Sequence, residues 1–176
     1  VEFLKVVLTG PESSGKSSLC KQLAQHFGVD WVPEYARIYL EKNGPEYDWN
    51  IFQEILNGHL DWQAEALKRS SHPLIFLDTD LVNFIVWSNM VFKRSLSLGA
   101  KELAPDPRCH YLLLAPDLAW EPDPLRENPA EREAIFEAHL QILKKHRLPF
   151  RVIKGEGSQR TANAIKAVHE LLGLRT

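Results

Sequence analysis

Apolar residues follow two rhythms along the chain. Short, nearly continuous apolar runs at residues 3–8, 30–32, 74–77, 110–114 and 150–153 predict strands, the longer ones buried on both faces. Between them, apolar positions recur at three- and four-residue spacing. Helices are predicted over 16–27 (Leu19, Leu23 and Phe27 on one face, Cys20 and Ala24 beside them), 35–43, 50–68 (Ile51, Ile55, Leu56, Leu60, Leu67) and 81–92. Two more are predicted over 134–145 (Ile135, Phe136, Leu140, Leu143) and 161–172 (Ile165, Val168, Leu172). Strands alternating with helices predict a parallel sheet covered on both faces, an α/β fold. Residues 117–132, polar and studded with prolines, break the rhythm and are too charged for a core.

The strand-to-helix join at residues 10–17 reads GPESSGKS and matches G-x-x-x-x-G-K-[ST]. Glycines let successive backbone N–H groups turn into one concavity, and the following helix adds its positive end. Gly10, Pro11, Glu12, Ser13, Ser14, Gly15, Lys16, Ser17 and Ser18 are therefore candidates to hold a triphosphate, ATP first. The Lys16 ammonium would reach the β- and γ-phosphates, and the Ser17 hydroxyl would ligate Mg²⁺. Asp78, just past the apolar run in FLDTD, is the second metal candidate. Asp80 beside it is either a site carboxylate or the cap of the next helix.

Other chemistry gathers at the ends of the predicted strands. Glu34, with Arg37, follows the second strand and is a candidate general base, with Asp78 as the competing one. Arg126 and Arg132 either close over a phosphate chain or sit solvated on a surface loop. Trp120 either packs as an anchor or covers substrate. Residues 154–160, KGEGSQR, including Gly155 and Arg160, either lie against the nucleotide or form a plain turn. His146 reads as a cation at a helix end.

Composition narrows the classes. A chain of 176 residues with 44% hydrophobic and 25% charged residues suits one globular domain, expected to span 1–176. A net charge of −2 gives nucleic acid no electrostatic hold, and no apolar run is long enough to cross a membrane. Neither is an expected partner. Two cysteines, Cys20 and Cys109, make no disulfide framework, and no secretory leader precedes Phe3, so a cytoplasmic compartment is expected. No motif speaks to oligomeric state.

The combined motifs resemble the ribosylnicotinamide kinase domain of NadR-type NAD-biosynthesis proteins, kin of the nucleoside and nucleotide kinases. They are GPESSGKS, PEYAR at 33–37, Asp48 ahead of a helix carrying Gly58-His59, FLDTD, Trp87-Ser88, YLLL at 111–114, WEPDPLRENPAER at 120–132 and IKGEGSQR. The resemblance implies a P-loop kinase three-layer sandwich, with a mostly parallel five-stranded sheet and a lid over about 117–132. It implies phosphoryl transfer from ATP to the 5′-hydroxyl of nicotinamide riboside, giving nicotinamide mononucleotide. It also implies an acceptor pocket lined by Glu34, Tyr35, Arg37, Asp48, Asp80, Trp87 and Trp120. Two positions depart from the family. Asn83-Phe84 stands where threonines are frequent, and His59 where glutamine is common; both positions are candidates for substrate contact. The DNA-binding and adenylyltransferase domains that often accompany this kinase have no counterpart in residues 1–176, so neither activity is expected of them. Two alternatives stay open: a kinase for another nucleoside or small alcohol, and a nucleotide-switched ATPase or regulatory module without an acceptor.

Overall fold

The computed structural model describes residues 4–96 and 103–173. Five strands, β1 (Leu4–Thr9), β2 (Trp31–Val32), β3 (Leu74–Asp78), β4 (Cys109–Leu114) and β5 (Phe150–Ile153), form one sheet in the order β2-β3-β1-β4-β5. All four pairings are parallel. The helices are α1 (Lys16–Phe27), α2 (Tyr35–Asn43), α3 (Trp49–Arg69), α4 (Leu81–Val91), α5 (Arg132–Lys145) and α6 (Gly157–Leu171).

Alternate residues of the central strands feed two cores, which is why those strands read as unbroken apolar runs. Val7, Ile75, Leu77 and Leu113 pack under α2, α3, α4 and α5. Val6, Leu8, Phe76, Leu112 and Ile153 pack under α1 and α6, where Cys20 is also buried. The outer strands are weaker. β2 is only two residues long because Pro33 has no N–H to continue the ladder, and Val152 of β5 is exposed at the other edge.

Two expectations shift. Leu60 was expected in the inward stripe of α3 but is exposed; the buried stripe is Phe52, Ile55, Leu56 and His59. α6 begins four residues before the expected position 161, at Gly157. One glycine explains how α2 docks on α3. A Cβ on Gly58 would lie 2.4 Å from the Tyr35 ring, so only glycine lets that ring lie flat on the helix. Tyr35 is thus a packing residue, flanked by Trp62 and Tyr39, and does not face a ligand.

The register sets the functional edge. Leu8 pairs with Asp78 and Thr9 with Leu113, so the loops after β1, β3 and β4 leave the sheet side by side.

Candidate functional site

Residues 10–15 curl tightly between β1 and α1. Gly10 has φ 133°, and a Cβ there would meet the Leu114 carbonyl at 2.7 Å. Gly15 enters α1 in the left-handed region with no side chain capping the helix, so the first N–H groups of α1 are left for a ligand. Lys16 folds back into this loop, its Nζ donating to the carbonyls of Gly10 (3.0 Å) and Pro11 (2.7 Å). Burial lowers its pKa, and Glu34, Asp78 and Glu12 work against that lowering.

Beneath the loop lies Arg160. It is buried and donates to the carbonyls of Ser14 (2.8 Å), Ala115 (2.8 Å) and Gly155 (2.9 Å). Its terminal nitrogens are committed to protein carbonyls, so Arg160 scaffolds the phosphate loop rather than facing a nucleotide. Gly155 likewise spends its N–H on Asp117 (2.7 Å).

Two carboxylates, Asp78 buried and Glu34 half-buried, stand opposite Lys16. Asp78 ends β3 and is 2% exposed, with Oδ1 lacking any protein partner. Burial raises its pKa, partly offset by the Ser17 hydroxyl and by Lys16. Glu34 joins β2 to α2 and makes no side-chain capping bond. Its carboxyl is pushed up to about 7, by burial first and then by Asp78, while Lys16 and Arg37 pull it down. Ser17 and the partnerless Asp78 oxygen are hard oxygen donors and fit Mg²⁺. No group of three or more His, Cys, Asp or Glu able to hold a metal occurs among the described residues. A magnesium ion here would therefore draw most of its ligands from water and phosphate, as it prefers.

Residues 117–131 cross over the phosphate loop and are tied to it. The Ser13 hydroxyl accepts from the Glu121 N–H (2.9 Å) and from Arg126 (3.3 Å). Arg132 donates to the carbonyls of Leu118 (2.8 Å) and Ser13 (3.1 Å), and Arg37 pairs with Asp123 (2.9 Å). Neither Arg126 nor Arg132 is a freely solvated surface charge: both brace the crossing segment, and Arg126 also lines the cleft. Glu12 differs from its expected phosphate-binding role. Its carboxylate accepts from the N–H groups of Asn128 (2.9 Å) and Glu127 (3.2 Å) and so latches the segment. Hydrogen bonds to a charged group contribute about 1.5–3 kcal/mol. Glu12→Ala is therefore expected to raise limited-proteolysis rates within 117–131 about tenfold, with the melting of the sheet core nearly unchanged.

From Glu34 the cleft widens into a chamber. Ala36, Arg37 and Leu40 of α2 form one side, and Asn83, Val86, Trp87 and Met90 of α4 another. Leu125 and Glu127 close it from above, with Ile135 and His139 of α5 also in its lining. Polar groups are few and fixed. Asn83 Oδ1 accepts from Thr9 (2.6 Å). Trp87 Nε1 donates to the Tyr47 hydroxyl (3.0 Å), which donates to Glu127 (2.9 Å). An apolar wall with a few placed polar groups suits a small, partly aromatic ligand.

Besides Tyr35, four expected pocket residues lie outside this cleft. Asp80 caps α4, taking the Val82 N–H (2.9 Å) and the Tyr111 hydroxyl (2.6 Å), which occupies both oxygens. Asp48 caps α3 through the Ile51 N–H (2.9 Å). His59 is buried beside the Phe84 ring with neither nitrogen partnered, and burial lowers it to about 4. Trp120 is half-buried in the crossing segment, away from the cleft lining. Conversely, Tyr47, Glu127, Met90 and His139 line the cleft and were not expected. His139 sits four residues from both Ile135 and Leu143, so the inward stripe of α5 held the signal for it.

Asp80 has a measurable consequence. Burial raises its carboxyl to about 6, although Tyr111 and the Val82 amide pull it down. An acid whose folded pKa is raised costs nothing below its unfolded value, opposes folding increasingly as pH rises from there, and carries its full penalty once pH has passed the folded one. Asp80→Asn keeps the cap and removes the charge. It is expected to stabilise the protein by about 1–3 kcal/mol at pH 7, and by almost nothing at pH 4. Urea unfolding at both pH values checks this.

A glycine-rich loop leading into α1, a carboxylate at the end of the adjacent parallel strand and a crossing segment after β4 define a P-loop α/β domain of the kinase type. The chain belongs to the family described as AAA domain, whose model matches residues 5–160. Within that class it is homologous to the trifunctional NAD biosynthesis/regulator protein NadR of Salmonella typhimurium, 27% identical over 96% of this chain. The alignment spans only 42% of that longer protein. Among solved structures, NadR protein in complex with NR superposes with a TM-score of 0.74 at 20% identity, covering 98% of this chain and 50% of that one. Thymidylate kinase from Ehrlichia chaffeensis gives a TM-score of 0.62 at 12% identity, covering 96% of this chain and all of that one. The family resemblance carried by the sequence motifs therefore holds, and the fold is that of P-loop kinases.

Proposed function

We propose that residues 1–176 act as a single kinase domain, transferring the γ-phosphoryl group of ATP to the 5′-hydroxyl of nicotinamide riboside. The observation that carries this reading is the position of Glu34. A half-buried carboxyl raised to about 7 stands where the phosphate loop meets a chamber walled by Trp87, Tyr47 and Met90. A nucleotide switch without an acceptor needs neither the chamber nor the carboxyl.

The residues divide the work. The α1 N-terminus and Lys16 hold the β- and γ-phosphates, and Ser17 with Asp78 would hold Mg²⁺. When bound, that ion offsets phosphate charge in the transition state. Glu34 orients the 5′-hydroxyl and takes its proton as the oxygen bonds to the γ-phosphorus and the bond to the β-phosphate oxygen breaks. ADP and nicotinamide mononucleotide leave. The segment 117–131, held by Glu12 and Ser13, excludes water and sets Arg126 beside the phosphates. The crossing segment would thus be the lid, and the cytoplasm the compartment that supplies ATP.

Coupled ADP detection tests this. ADP release should depend on added riboside and saturate with it. Release at an equal rate without any acceptor would replace the kinase by an ATPase, and a preference for another nucleoside in an acceptor panel would move the substrate.

A further inference from the structure

The inner wall of the cleft holds a polar atom that the proposed mechanism leaves unused. His139 on α5 is 2% exposed and lines the cleft with Ile135, Asn83 and Val86. Its Nδ1 lies 2.8 Å from the Ile135 carbonyl. A carbonyl only accepts, so the ring proton sits on Nδ1, and Nε2 presents a lone pair. That Nε2 is buried and has no protein partner. Leaving such an acceptor unsatisfied is costly and uncommon in native proteins. His59 is also buried without partners, but it packs on Phe84 away from the cleft and offers nothing to a ligand.

We propose that His139 binds the acceptor, its Nε2 accepting a hydrogen bond from a hydroxyl of the sugar; this rests on the kinase reading above. Burial and the field of Lys16 hold the imidazole near 4, so it stays neutral at working pH and offers a lone pair. A lone pair repels the oxygens of a triphosphate, which carry no hydrogen at neutral pH. The ligand group must therefore be a donor. Asn83, in the same lining as His139, is bonded to Thr9 at the end of β1, directly before the phosphate loop, so this wall adjoins the reacting end of the cleft. The atoms next to the attacking 5′-oxygen there are those of the ribose, whose hydroxyls donate.

The test measures riboside binding by calorimetry with a non-hydrolysable ATP analogue present. Nicotinamide riboside is compared with its 2′-deoxy and 3′-deoxy forms, on wild type, His139→Leu and His139→Gln. In wild type, removing the hydroxyl that His139 reads should weaken binding about tenfold or more. In His139→Leu the same removal should change binding by less than about twofold, and His139→Gln, which keeps an acceptor oxygen, should fall between. On wild type alone, the ¹⁵N resonance of His139 Nε2 should move when riboside binds, a readout that survives if the leucine variant fails to fold. Equal deoxy penalties in all three proteins with an unmoved resonance would overturn the assignment. So would coupling to the nicotinamide carboxamide in place of a hydroxyl. Turnover of riboside without this coupling refutes His139 alone. Coupling without phosphoryl transfer refutes the kinase reading alone, and no riboside binding refutes both.

Discussion

Lys16→Ala is expected to leave a folded protein whose phosphoryl transfer falls by about a hundred- to a thousandfold, the scale for losing one charge-stabilising donor in a transition state. The fold should survive because Lys16 bonds only to the Gly10 and Pro11 carbonyls, at the edge of the sheet rather than in either core. The chemistry should not, because Lys16 is the cation seated within the phosphate loop itself, facing the Glu34 and Asp78 carboxylates. Arg126 and Arg37 approach instead from the crossing segment and α2 and are braced by Glu121, Ser13 and Asp123. The substitution also strips Glu34 and Asp78 of a cation that eases their ionisation, so both should become harder to deprotonate. Circular dichroism and the coupled assay check the two halves. Retention of more than about a tenth of the activity would deny Lys16 the phosphate role.

Glu34→Gln should keep Mg²⁺–ATP affinity and cut turnover by about a hundredfold or more, the usual contribution of a general base. The pH profile gives the sharper readout. A base works deprotonated, so kcat/KM of the wild type should rise as pH passes through about 7, where burial and Asp78 have pushed the Glu34 carboxyl. In Glu34→Gln that rise should disappear. Asp78→Asn should instead raise the Mg²⁺ concentration needed for half-maximal rate, because Asp78 supplies a partnerless oxygen beside Ser17. If Glu34→Gln turns over normally and Asp78→Asn loses activity even at saturating metal, the base is Asp78.

The central strands were legible because burial on both faces writes an unbroken apolar run, as over Leu74, Ile75, Phe76 and Leu77. The phosphate loop was legible because its backbone demands glycine at position 10, where any Cβ would strike the Leu114 carbonyl. Roles that depend on which way a side chain turns were not. Asp78 and Asp80 are two residues apart on one short motif, yet one faces Lys16 and the other caps α4 under Tyr111. Glu12 lies inside the phosphate loop, but its carboxylate turns outward to the backbone at 127–128, a contact 115 residues away in sequence. Arg160 follows a glycine-rich stretch that reads as a ligand loop, but it lies in the first turns of α6, where burial commits it to three carbonyls. Tyr47 and Glu127 meet only because the crossing segment returns over α4, a closure that no local pattern encodes.

The claim that Glu34 and Lys16 serve one transfer reaction is tested most directly by identifying the product. Purified protein incubated with Mg²⁺, ATP and nicotinamide riboside should yield ADP and a monophosphate in equal amounts, with ³¹P–¹H NMR coupling placing the new phosphate on the 5′-carbon. ADP formed without any phosphorylated riboside, or a phosphate on another hydroxyl, would contradict the assignment of this cleft.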